Sequence, residues 1–84
     1  MRTYEQLKEI CMFKPSNREL TEEELANKCI VESAGVGYAC SYYRIINWPS
    51  HLNLVAEEVA LFCDGGNLCF GFALERGRIK VYTD

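Results

Sequence analysis

The sequence predicts an α+β fold: N-terminal helices and an amphipathic helix packed on a small antiparallel sheet that ends in a C-terminal β-hairpin. Three patterns carry the prediction. Residues 67–83 alternate apolar and non-apolar side chains on either side of Arg76-Gly77, the period of a strand with one buried face. Residues 52–63 place Leu52, Val55, Ala56, Val59, Phe62 and Cys63 on one helical stripe. Two threonines near the N-terminus, Thr3 and Thr21, are each followed three residues on by Gln6 or Glu24, the spacing of a capping box. The 84 residues argue for one domain, 1–84.

Taken in order, the first helix starts at Thr3, buries Leu7, Ile10 and Cys11, and ends near Phe13, because Pro15 disfavours helix at Lys14. Ser16-Asn17-Arg18 is a loop. The second helix starts at Thr21, where Glu22 and Glu23 suit the positive end of the helix dipole. It carries Leu25 and Cys29, reaches toward Ile30 and Glu32, and is stopped by Ala34-Gly35-Val36-Gly37.

Residues 38–48 fit either a strand or a helix. Their aromatic and β-branched content favours the strand, and Trp48-Pro49 ends it. Residues 51–63 fit a helix better than a strand, since a strand would put Glu57 on the same face as Val55, Val59 and Leu61. Ser50 caps this helix and Gly65 closes it.

In the hairpin, a two-residue Arg76-Gly77 loop sets Leu74 against Ile79, Phe72 against Val81 and Phe70 against Thr83. The other face pairs Glu75 with Arg78, Ala73 with Lys80 and Gly71 with Tyr82. A slip of one residue would set Phe72 against Lys80 and spoil the apolar face. The helix at 51–63 is expected to press Val55, Val59 and Phe62 onto Phe70, Phe72 and Leu74.

Composition narrows the function. The net charge of −3 disfavours general binding to nucleic-acid phosphates. An odd count of five cysteines, without stapled spacing, points to a reducing compartment. The first residues have no apolar signal core, and no run approaches a membrane span, so a cytoplasmic protein is expected.

Site chemistry is sparse. Cys40 and the only histidine, His51, are the sole nucleophile–base pair on offer, and no local signature surrounds them. Cys63 and Cys69 flank the turn at 64–67, with Cys40 or His51 to complete a tetrahedron, but five residues separate the pair where structural zinc favours tight C-x-x-C spacing. Gly35-Val36-Gly37 and Asp64-Gly65-Gly66 lack the further residues of a phosphate-binding loop. No metal or cofactor is expected.

The aromatic set Tyr38, Tyr42, Tyr43 and Trp48 is the remaining signal, because rigid rings dominate interface hot spots. So small a domain is expected to leave at least one of them exposed. The expectation is therefore a small non-catalytic protein-binding module, of the inhibitor or adaptor type carried by phages and mobile elements, acting by occupying a surface of a larger protein. Tyr42, Tyr43 and Trp48 are its contacts and Glu57 and Glu58 its polar rim. The partner is another protein, or a second copy in a homo-oligomer; nucleic acid is disfavoured and no membrane is expected. The alternative is a winged-helix-like DNA-binding regulator. In it, residues 30–36 form a first helix and turn, 38–46 a recognition helix, and Arg76, Arg78 and Lys80 a wing.

Overall fold

Thr3 and Thr21 each open a helix in the computed structural model, which describes residues 1–68 and 70–83. Both capping boxes form. Thr3 Oγ1 accepts from the Gln6 N–H at 3.2 Å while Gln6 returns a bond to the Thr3 N–H, and Thr21 and Glu24 repeat the exchange. The helices are α1 (Tyr4–Ile10) and α2 (Glu22–Asn27). Both stop earlier than the sequence suggests.

The residues that follow each helix become strands. Cys11–Phe13 is β1 and Cys29–Gly37 is β2, and the two pair in parallel with Cys11 opposite Cys29. The α2 segment is the crossover that parallel pairing requires. The strands displace the expected helical extensions because pairing satisfies backbone groups that a free helix end would leave open. Lys14 N–H, for example, reaches Val31 O at 2.8 Å.

The segment 38–48 resolves as a strand, β3 (Cys40–Asn47), joined to β2 by a tight turn at Tyr38-Ala39. A short 3-10 turn, Ser50–Leu52, precedes α3 (Ala56–Cys63). Ser50 therefore does not cap the helix. The Glu58 carboxylate does so instead, accepting from the Val55 N–H at 3.0 Å. Gly65 closes α3 as expected, with its N–H bonded to Phe62 O.

The C-terminal hairpin is β4 (Gly71–Glu75) and β5 (Arg78–Tyr82), in the register read from the sequence: Leu74 with Ile79, Phe72 with Val81, Glu75 with Arg78, Ala73 with Lys80 and Gly71 with Tyr82. Arg76 (φ 46°) and Gly77 (φ 77°) both take the left-handed conformation of a primed turn. The expected Phe70–Thr83 pair does not form. Gly71, at φ 127°, turns the chain out of the ladder, and Thr83 N–H bonds Ala39 O on the other side.

The sheet is mixed and five-stranded, ordered β1-β2-β3-β5-β4, rather than small and antiparallel. β5 is the inner strand of the hairpin, flanked by β3 and β4, so Ile79 and Val81 are fully buried, and with Leu7, Cys29, Val31 and Val59 they form the centre of the core. The expected clamp of α3 on Phe70, Phe72 and Leu74 holds only at Phe72: Val59 and Phe62 join Ile79 and Val81 in the core, and Phe72 packs against it. Phe72 is half-buried, Leu74 is at the exposed edge and Phe70 is outside the strand. Val55 precedes α3 and faces solvent. Among the described residues no helix is long and apolar enough to cross a membrane.

Candidate functional site: the open face of the sheet

Strand alternation sorts the side chains onto two faces. Tyr43 and Ile45 of β3, Ile79 and Val81 of β5 and Phe72 of β4 face the layer that contains α1 and α3. The opposite face of β3, β5 and β4 presents Tyr42, Arg44, Arg78, Lys80, Tyr82, Ala73 and Glu75, with no side chain of α1 or α3 over it.

This open face is aromatic and cationic. Lys80 stands opposite Tyr42 across the β3–β5 ladder, with its ammonium 5.5 Å from the Tyr42 ring centre and 5.0 Å from that of Tyr82. Both distances are within the range of a cation–π contact. Tyr42 first, then Tyr82, raises the Lys80 pKa above its ordinary value. Arg44 Nη1 bonds Glu32 Oε1 at 2.6 Å, and Lys14 approaches the same carboxylate at 3.9 Å. Among the described residues Arg76 and Arg78 have no ion-pair partner. A shallow groove of about 610 Å³ runs between Tyr42 and the hairpin turn, lined by Ala73, Glu75, Arg76, Arg78 and Lys80.

The Tyr42 ring is positioned from below by Gly37. A Cβ at Gly37 would lie 3.0 Å from the ring and 2.9 Å from Cys40 Sγ, so the absence of a side chain there allows the ring to lie against the strand. Tyr38, at the tip of the β2–β3 turn, is fully exposed and supplies the exposed aromatic that the composition implied.

Of the five contact residues expected from the sequence, only Tyr42 lies on this face. Tyr43 points into the other layer, its ring 6.1 Å from that of Phe13, and burial raises its pKa. Trp48 packs against the core. Glu57 is exposed but belongs to α3. Glu58 is buried at 3% exposure and bound by Arg2, so it forms no rim. Sequence reading grouped Arg78 and Lys80 only as part of a DNA-binding wing, and missed Tyr82 and the surface that all three share with Tyr42. Their signal was the polar face of the hairpin register, which appeared as a solvent face rather than as one wall of a surface shared with β3.

The remaining candidates separate. Cys40 is buried at the start of β3, while His51 follows its far end on an exposed turn. The strand between them spans about 23 Å at 3.3 Å per residue. Cys11, Cys29 and Cys63 converge in the core. A thiol–thiol hydrogen bond to Cys11 and burial push Cys29 up, and burial pushes Cys63 up to about 12. Cys69 lies outside the described residues, and among those described no three His, Cys, Asp or Glu side chains are placed to hold a metal ion. The expected first helix and recognition helix of the DNA-binding alternative are strands β2 and β3.

No protein-family profile, no curated protein and no solved structure matches this chain.

Proposed function

We propose that the protein is a small non-catalytic binding module that occupies an acidic surface of a larger protein through the open face of its sheet. The mode is that of the inhibitors and adaptors carried by phages and mobile elements. The observation that carries the reading is the Tyr42–Lys80–Tyr82 cluster, extended by Arg44, Arg76 and Arg78, in a chain whose net charge is −3. The chain concentrates cations and rings on the face that its two packed helices leave uncovered. Tyr and Arg are the side chains that most often anchor protein interfaces, and guanidinium groups match carboxylates in two-bonded geometry.

Affinity capture from the source cell tests this, with the wild type and a Tyr42→Ala/Lys80→Glu variant side by side. The reading expects a partner whose contact region is acidic, retained by the wild type, lost by the folded variant and weakened by salt. Equal capture by both proteins would overturn it. Salt-sensitive binding to single-stranded or duplex DNA, with no protein captured, would replace it with a nucleic-acid reading.

A further inference from the structure

We propose that the free edge of β4 pairs with β4 of a second copy, in antiparallel orientation about a two-fold axis at Ala73, joining two sheets into one. This goes beyond the open-face reading and does not depend on it.

The hydrogen-bond parity of the sheet fixes which groups are available. A two-residue loop makes Glu75 and Arg78 a hydrogen-bonded pair, followed by Ala73 with Lys80 and Gly71 with Tyr82. The bonds on the far side of β5 agree: Ile45 N–H meets Gly77 O at 2.8 Å and Thr83 N–H meets Ala39 O at 3.0 Å, which leaves Ile79 and Val81 to bond β3. On β4, therefore, Phe72 and Leu74 direct their N–H and C=O groups away from the sheet. Among the described residues they form an unpaired edge, because β4 is the last strand in the order.

Such edges are normally blunted by lysine, proline or a bulge. β4 reads Gly-Phe-Ala-Leu-Glu and its pairing with β5 is uninterrupted, so it has none of the three; its one charge, Glu75, lies at the turn end and not at the outward-bonding positions Phe72 and Leu74. The apolar side chains at this edge are also uncovered, with Leu74 46% and Phe70 64% exposed.

The strand is complementary to itself. A two-fold axis at Ala73 pairs all of Gly71–Glu75 with its own copy. Phe72 then faces Leu74 of the second copy as a hydrogen-bonded pair, twice, giving four inter-chain bonds. Glu75 faces Gly71, so no like charges oppose. Phe72 and Leu74 lie on the side of the sheet that contains α3, so their contact continues the existing core across the seam. A second copy is thus the occupant that the charge pattern and the apolar pattern both fit. Shifting the register by one residue would set outward-bonding residues against inward-bonding ones and break the ladder.

Sedimentation equilibrium of the full chain from micromolar to millimolar concentration tests the proposal, combined with amide hydrogen exchange. The wild type is expected to dimerise, with Phe72 and Leu74 amides protected in proportion to the dimer fraction. Leu74→Pro removes two of the four inter-chain bonds and none of the bonds to β5, and a proline is tolerated at an edge position whose N–H faces outward. It is expected to weaken the dimer at least tenfold while the circular dichroism spectrum is retained. Should Leu74→Pro fail to fold, Leu74→Lys places a charge beside Phe72 of the second copy and is expected to weaken the dimer likewise. A wild type that stays monomeric throughout overturns the proposal. So does a dimer whose Phe72 and Leu74 amides exchange freely, or one that Leu74→Lys leaves intact.

Discussion

Arg2 and Glu58 are joined by a charged hydrogen bond of 3.0 Å between Arg2 Nη1 and Glu58 Oε1, across 56 positions of sequence. The same carboxylate accepts the Arg2 backbone N–H at 2.9 Å and the Val55 N–H at 3.0 Å, so one side chain caps α3 and anchors the N-terminus to it. Burial raises the Glu58 pKa, but the backbone donors of Arg2 and Val55 and the Arg2 guanidinium outweigh it and hold the carboxyl below its usual value. Arg2→Ala leaves a buried carboxylate short of its cation. With the Arg2 side chain one-third exposed, the expected cost is about 1–2 kcal/mol, below the full value for hydrogen bonds to charged groups. Urea unfolding of the two proteins measures it.

The same pair sets a pH dependence. A carboxyl whose folded pKa is depressed contributes stability above its unfolded pKa, near 4.3 for Glu, and loses it as pH falls through the folded value. Wild-type stability is expected to fall with acidification below about pH 4.5, with Glu58 as one contributor. In Glu58→Gln the slope over that interval should be shallower. Unfolding free energies measured between pH 6 and pH 3 compare the two, and parallel curves would deny Glu58 this role.

Gly37→Ala is expected to weaken partner binding without removing any side chain. The added methyl would press on Cys40 Sγ and the Tyr42 ring at 2.9 and 3.0 Å, so the ring must shift on the open face. The measurement is affinity for the captured partner, compared with that of Tyr42→Ala. The latter is expected to lose more than about 1 kcal/mol if Tyr42 is a hot spot.

Arg76→Asn separates stability from binding. Arg76 holds φ at 46°, a conformation that Asn tolerates and a long side chain does not favour. Replacing it with the Asn-Gly turn should stabilise the hairpin by roughly 0.5–1 kcal/mol. Removing one cation from the groove should weaken binding to the acidic partner in the same variant. Thermal unfolding and affinity measured together would show opposite signs.

Ile79→Ala should unfold the protein more readily than Phe72→Ala. Ile79 is fully enclosed on the inner strand, and its truncation should cost roughly 2–5 kcal/mol. Phe72 is half-buried on the edge strand, and losing its apolar area should cost roughly 1.5–3 kcal/mol. Chemical denaturation of both variants gives the order.

The sequence by itself determined the features whose physics is local. Thr3 with Gln6 and Thr21 with Glu24 complete their boxes within one helical turn, whatever surrounds them. The hairpin register follows from the Arg76-Gly77 loop and a period of two. The aromatic and β-branched strand within 38–48 was likewise legible, as was the later part of the helix expected over 51–63, which starts only at Ala56. Tertiary structure decided the rest. Cys11–Phe13 became a strand because Cys29–Val31 supplies its backbone partners, and Cys29–Gly37 because β1 and β3 supply its own, a gain that no local window contains. The β1–β2 pairing makes the sheet mixed. Placing β3 beside β5 makes the inner strand, rather than Phe70, Phe72 and Leu74, the centre of the core. The same juxtaposition assembles Tyr42 with Lys80 and Tyr82 and sends Tyr43 to the other face, because neighbouring residues on a strand point in opposite directions and only the packing of α1 and α3 chooses which direction is covered.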